Sequence, residues 1–282
     1  MSVRERRVWI FSDLHIGCLS DGWDGDVWMS LAVEDLRRNV GIPDYVIMLG
    51  DISHASRPDQ IRRYLAVRRA SGIRTWFEMV GNHDFRAFQR GHWRRLIGRP
   101  FRYLVVDGNL VWVMVSAEQT LANGKLCAVT RDWLGRVMAA NRDRNVVMCT
   151  HQLVANTVRR TDPDVYWWRV LHPLKWVEKF RKAHPIGAWI GGHEHGPPRD
   201  GTLVAMRDDV VFVNVAGLSH VYGTRASIGF IPEMRDGDRA IRVRCREHDA
   251  MRDREEFGFV IPLRFPLKLG ESPRLVPFPR VR

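Results

Sequence analysis

Short apolar runs alternate with longer mixed stretches along most of the chain. Val8 to Phe11, Tyr45 to Leu49, Trp76 to Val80, Leu110 to Val115, Val146 to Thr150, Ile186 to Ile190 and Val210 to Val215 are rich in Val, Ile and aromatics and read as buried strands. Between them, Val27 to Val40, Asp59 to Ser71, Phe85 to Ile97, Arg131 to Asn141 and Pro173 to Ala183 predict helices, with Pro173 suited to a first helical turn. Alternation of strand and helix indicates an α/β protein with parallel pairing. Later runs near 202–206, 210–215 and 226–231 follow one another without helices, which suggests a second sheet with antiparallel character. Beyond Glu233 the pattern weakens to one plausible strand, Ala240 to Cys245, a charged stretch, and a tail with Pro262, Pro266, Pro273, Pro277 and Pro279. The expected division is a domain over 1–231 and an extension over 232–282 that packs on it or binds a partner.

Composition narrows the class. A hydrophobic content of 45 % and 11 tryptophans allow a packed core, and 27 % charged residues do not indicate disorder. No run approaches the roughly 20 apolar residues needed to cross a bilayer. Met1 to Arg7 is charged and leads into only four apolar residues, too few for a signal-peptide core, so a cytoplasmic protein is expected. Cys18, Cys127, Cys149 and Cys245 are scattered without a CxxC pair, which disfavours disulfides and thiolate zinc sites.

Charge adds a possible partner. The net charge is +12, and residues 57–102 hold twelve arginines against Asp59, Glu78 and Asp84, a local net of +9. Such a patch attracts polyanions, nucleic acid among them. Arginine outnumbers lysine throughout, so a compositional bias accounts for it equally well.

The candidate chemistry sits where strands end. Ser12-Asp13-Leu14-His15 follows the first strand, Gly50-Asp51 the second and Gly81-Asn82-His83-Asp84 the third. His151 closes the run at 146–150, and Gly191-Gly192-His193-Glu194-His195 follows the run at 186–190. Ligands gather beyond the carboxyl ends of strands in α/β sheets, so these segments can converge on one site. Each piece alone is weak, because a strand-end Gly-Asp is usually a turn and a His-x-His is usually surface. Together, two aspartates, an asparagine and several imidazoles suit divalent Mn, Fe, Zn or Co. They are too many for one tetrahedral ion and fit two ions about 3.5–4 Å apart.

In this order the motifs resemble the calcineurin-like metallophosphoesterases, over roughly residues 7 to 231. The resemblance implies a four-layer α/β/β/α sandwich of two mixed β-sheets flanked by helices, with the C-terminal extension added. It implies that Asp13, His15 and His195 hold one metal, Asn82, His151 and His193 the second, and that Asp51 bridges them. Manganese leads as the expected ion, with Fe, Zn, Co or Ni also fitting. His83 is then a proton donor to the leaving oxygen or a transition-state stabiliser, oriented by Asp84. A hydroxide bridging the metals would attack phosphorus in line.

Weaker candidates surround this set. His54 and Arg86 are candidate substrate contacts, while His92, His172, His184, His220 and His248 read as structural or surface. Arg159, Arg160, Tyr166, Trp167 and Trp168 form either an aromatic–arginine wall able to stack a base or sugar, or packing over a helix. The expected function is metal-dependent phosphoester hydrolysis, with a phosphodiesterase first. A nuclease acting on DNA or RNA, or a phosphomonoesterase acting on nucleotides or proteins, is the alternative. A non-catalytic binding module is disfavoured because the full residue set is present, and a protein whose arginine face binds nucleic acid is the remaining class.

Overall fold

The apolar runs become strands that are buried on both faces, and this explains why they read as continuous rather than alternating. In the computed structural model, which describes residues 3–19, 22–120, 124–199, 201–220 and 227–277, they form two mixed sheets. The first has the order Arg252–Asp253, Ala240–Glu247, Ile228–Arg235, Glu5–Phe11, Tyr45–Met48, Thr75–Glu78, with Phe259–Pro262 also pairing with Ala240–Glu247. The second runs Val204–Arg207, Val210–Asn214, Ala188–Gly191, Asn145–Thr150, Leu110–Val115, Arg102–Asp107, Arg274–Val276.

Side-chain alternation sorts each strand into two cores. Val8, Ile10, Tyr45 and Ile47 point toward the second sheet and pack with Trp112, Met114, Val147, Cys149 and Ile190. Trp9, Phe11, Val46 and Met48 face the other way, against Met29 and Ala32 of the helix Gly25–Asp35 and Ile61 and Tyr64 of the helix Pro58–Ala70. The outer face of the second sheet, including Val111, Val113, Met148 and Trp189, is covered by the helices Ala128–Ala140 and Leu174–Ala183. The result is the expected four-layer α/β/β/α sandwich.

Several local expectations shift. The helix expected over 85–97 is two helices, Phe85–Gln89 and His92–Leu96, separated at Gly91, whose left-handed backbone (φ +74) ends the first turn. The helix expected over 27–40 is α-helical over Gly25–Asp35 and then widens to a π-turn over Leu36–Val40. The late strands do not make a sheet of their own. Val204–Arg207 and Val210–Asn214 extend the second sheet, whereas Ile228–Arg235 joins the first, antiparallel to Glu5–Phe11. Both late groups bury apolar side chains between the sheets, so each is held by the core rather than by its sequence neighbour.

The strand Ile228–Arg235 runs across residues 231 and 232. Further on, Ile241, Val243, Cys245, Ile261, Leu267 and Leu269 fill the core between the sheets, and Arg274–Val276 pairs with Arg102–Asp107. Pro279 of the tail lies outside the described residues. No helix among the described residues is long and apolar enough to cross a membrane.

Candidate metal centre

The strands Glu5–Phe11, Tyr45–Met48 and Thr75–Glu78 are parallel neighbours, so the loops that follow them lie side by side. Asn145–Thr150 and Ala188–Gly191 are likewise parallel in the facing sheet. Main-chain bonds lock the loops together, with the Asp13 N–H donating to Gly50 O (3.1 Å) and the His15 N–H to Asp51 O (2.9 Å). Asp13, His15, Asp51 and His193 all have left-handed backbones (φ 57, 46, 57 and 68). Four such non-glycine residues in one place are strain concentrated at a site. Close approach sets the neighbouring glycines: a Cβ on Gly192 would lie 2.5 Å from Asp13 Oδ2, and one on Gly81 would lie 2.1 Å from Asp51 Oδ1.

Two groups of donor atoms that include an aspartate result, Asp13 with His15 and His195, and Asp51 with His151 and His193, each lying within 4.8 Å of one another, and a third of imidazoles alone, His15 with His54 and His83, adjoins the first. In the first, Asp13 Oδ1 is 2.9 Å from His195 Nε2, and His15 Nε2 is 3.2 Å from the same nitrogen. In the second, His151 Nε2 lies 3.0 Å from Asn82 Oδ1 and 3.2 Å from Asp51 Oδ2. Asp51 Oδ2 is also 3.5 Å from His15 Nε2, so one carboxylate oxygen sits between the two groups. That oxygen is buried and makes no hydrogen bond of good geometry.

The electrostatics favour a cation here. His151 Nδ1 faces the carbonyl of Leu49 at 2.8 Å, which only an N–H can satisfy. Its Nε2 therefore aims a lone pair at two oxygens unless a proton or metal sits there. Burial opposes charge on His151, but the Asp51 carboxylate outweighs it and raises the imidazole to about 9. Burial instead dominates at His15 and His193, lowering them to about 4 and about 3, so both present neutral nitrogens. Asp13 and Asp51 would be raised by burial, yet the surrounding imidazoles hold both below the usual carboxylate range. The two aspartates and the neutral His15 and His193 suit a divalent ion as they stand, whereas His151 must give up its proton to bind one.

His83 stands at the edge of this cluster, its ring edge-on to His15 with centroids 4.6 Å apart. Its Nδ1–H donates to the carbonyl of His54 at 2.7 Å, leaving Nε2 for chemistry. The expected contact with Asp84 is not made. Both Asp84 oxygens are taken by the N–H groups of Ile52 (3.0 Å), Ser53 (2.8 Å) and Gly81 (3.2 Å) and by the Ser53 hydroxyl (2.7 Å). Asp84 therefore clamps the Asp51 loop to the Asn82 loop, because buried N–H groups claim it first. Burial and the nearby Asp51 charge raise its carboxyl to about 6. His54 does reach the cluster, with Nδ1 at 3.5 Å from His15 Nδ1 and its ring stacked on His83. Arg86 is exposed on the Phe85–Gln89 helix.

Sequence reasoning passed over Glu194. It is buried between His193 and His195 and pairs with Arg169 and, at 3.1 Å, with Arg160. An acid inside a metal-type Gly-His-x-His loop was the available signal, since it needs a cationic partner to stay buried.

The family model described as calcineurin-like phosphoesterase matches residues 6–197. The chain belongs to that family. This metallophosphoesterase is accordingly a hydrolase acting on phosphoester bonds. Among solved structures, that of purple acid phosphatase PPD1 from yellow lupin (Lupinus luteus) seeds matches with a TM-score of 0.61 at 13 % identity, covering 92 % of this chain and 54 % of that one. The metallophosphoesterase thus spans about half the length of the lupin chain. A conserved protein from Streptococcus pneumoniae TIGR4 matches at TM-score 0.45 and 16 % identity, over 92 % of this chain and 98 % of the other. The phosphoesterase Yfce from E. coli matches at 0.46 and 12 %, over 91 % and 99 %. At 13 % identity the likeness to the lupin enzyme is one of fold. No curated protein matches the sequence.

Proposed function

We propose that this metallophosphoesterase hydrolyses phosphodiesters with two divalent ions, manganese first among them. Asp13, His15 and His195 would hold one, Asn82, His151 and His193 the other, with Asp51 shared. The observation that carries this is Asp51 Oδ2, buried without a good hydrogen bond and facing His15 Nε2 at 3.5 Å and His151 Nε2 at 3.2 Å. Without metal this buried carboxylate has the protonated His151 as its charge partner, and an ion shared by the same oxygen and nitrogens would take the place of that proton. When bound, such ions supply an activated water and neutralise charge on the phosphoryl oxygens.

The chain's own residues do the rest. The His54 carbonyl fixes the His83 tautomer, so Nε2 can carry a proton toward the leaving oxygen. Asp84 holds the loops of Asp51 and Asn82 in register through its four accepted bonds. Diester preference is supported by exposed cations after the Asn82-His83 motif, Arg86, Arg90, Arg94 and Arg95. Part of the positive excess in 57–102 is used internally, since Arg68 and Arg99 pair with Glu78, and Arg63 with Asp24 and Asp26. The test is hydrolysis of bis(4-nitrophenyl) phosphate and 4-nitrophenyl phosphate by metal-stripped protein reloaded with Mn. Diester turnover that falls roughly 10²–10⁴-fold in His83→Ala supports the reading. Monoester preference would replace the diester assignment.

A further inference from the structure

We infer that residues 159–169 form a recognition wall for a planar ring, so that the substrates are phosphoesters carrying a nucleobase or a ring like it. The inference rests on the phosphoesterase reading of the adjacent cluster.

The segment is tied directly to both ligand-bearing loops of the second sheet. Leu153, two residues after His151, accepts from the N–H of Leu171 (2.8 Å) and donates to the carbonyl of Arg169 (3.1 Å). On the other side, the Glu194 carboxylate between His193 and His195 holds Arg169 and Arg160. The segment is therefore fastened to the loops that carry His151, His193 and His195.

Its exposed face has the wrong chemistry for ordinary surface. Trp167 is 51 % exposed and Trp168 37 %, with Val165 at 54 % beside them. Arg169 lies against two rings of the segment, its guanidinium 4.7 Å from the Tyr166 ring and 5.8 Å from that of Trp168, and Trp167 meets Trp168 edge-on with centroids 6.1 Å apart. The Arg160 guanidinium lies 5.8 Å from the centroid of the same Tyr166 ring. Cation–π contact and the Glu194 pairing hold Tyr166 and Trp168, while half of Trp167 and about a third of Trp168 stay open to solvent. Rigid aromatic faces beside a guanidinium are the elements that stack a base and attract its phosphate. A protein partner would bury the same indoles, but nothing in such contact explains why the wall is anchored to the metal-type loops.

The experiment uses two diesters with one leaving group, thymidine 5′-(4-nitrophenyl) phosphate and methyl 4-nitrophenyl phosphate, and the variants Trp167→Ala and Trp168→Ala. We expect kcat/KM for the thymidine ester to fall roughly tenfold, the scale of lost base stacking, with the methyl ester unchanged. Equal effects on both esters would overturn the wall while leaving the phosphoesterase reading intact. Tryptophan fluorescence of metal-free protein gives an independent arm. Quenching by adenosine 5′-phosphate, absent with ribose 5-phosphate and lost in the variants, supports the wall even without turnover. Quenching that survives both substitutions overturns it.

Discussion

The buried polar clusters around Asp35 and around Asp51 in this metallophosphoesterase are built on opposite principles. Around Asp35 every fixed donor meets an acceptor. Asp35 Oδ1 receives Arg246 Nη2 (2.5 Å) and Asn39 Nδ2 (2.8 Å), while Oδ2 receives Arg246 Nε and His248 Nδ1, both at 2.8 Å. Trp9 Nε1 can only donate, so the 3.1 Å contact with His248 Nε2 fixes that imidazole as neutral with its proton on Nδ1. Burial lowers the His248 pKa in the same direction. Around Asp51, by contrast, Oδ2 makes no hydrogen bond of good geometry and has only the charge of His151 beside it, and the backbone is strained at four of the converging residues. The first cluster spends its polarity on fastening the helix Gly25–Asp35 to the strand Ala240–Glu247. The second keeps its polarity available for a cation.

The sharpest way to separate them is to remove one acid from each. Asp35→Ala leaves the buried Arg246 with Asp253 as its remaining carboxylate and His248 Nδ1 without its acceptor, so unfolding free energy should drop by about 3 kcal/mol. Urea denaturation of metal-stripped protein measures this. Added Mn should still raise the melting temperature of the variant, because the other cluster is untouched. Loss of the metal response in Asp35→Ala would mean that the two clusters are not independent.

A pH scan should divide them next. His151 is raised to about 9, so its contribution to metal-free stability is complete below about 6.5 and is lost as pH rises through 9. Asp35 is held below the usual carboxylate range, after burial is outweighed by Arg246 and His248, so its contribution is lost only as pH falls through that range. Between pH 6.5 and 9 the metal-free protein should therefore lose about 1–3 kcal/mol, all from the Asp51 side. Metal binding should strengthen over the same interval, because the proton on His151 competes with the ion. A flat stability profile there would refute the assignment of a charged His151.

The smallest expected effect is at the rim. Glu194→Gln keeps the shape but leaves Arg169 without its charge partner, for a cost of about 1–2 kcal/mol by thermal denaturation. No loss would mean that the Arg169 contact with Tyr166 and Trp168 suffices by itself.

How far these clusters could be read beforehand follows from what local sequence encodes. Asp13, Asp51, Asn82, His151 and His193 stand directly after apolar runs, so their convergence was legible from strand ends alone. The partner of Asp84 was not, because adjacency to His83 says nothing of the Ile52 and Ser53 N–H groups brought in from another loop. Likewise, the Asp35 cluster joins residues 211 and 213 positions apart, and no periodicity announces it. The strand Arg102–Asp107 escaped notice because its ends are charged, although it pairs along its full length with Leu110–Val115. Arginines 63 and 102 looked like free charge because their acids, Asp24, Asp26 and Glu118, lie outside the window that made the region look basic.

The central claim is that Asp51 is shared by two ions. Metal content per chain, measured by inductively coupled plasma mass spectrometry after Mn loading and desalting, tests it most directly in wild type and Asp51→Asn. The account predicts two Mn per chain in the wild type and a loss of at least one in the variant, with diester hydrolysis falling together with it. Two ions retained in Asp51→Asn, or one in the wild type, would contradict it.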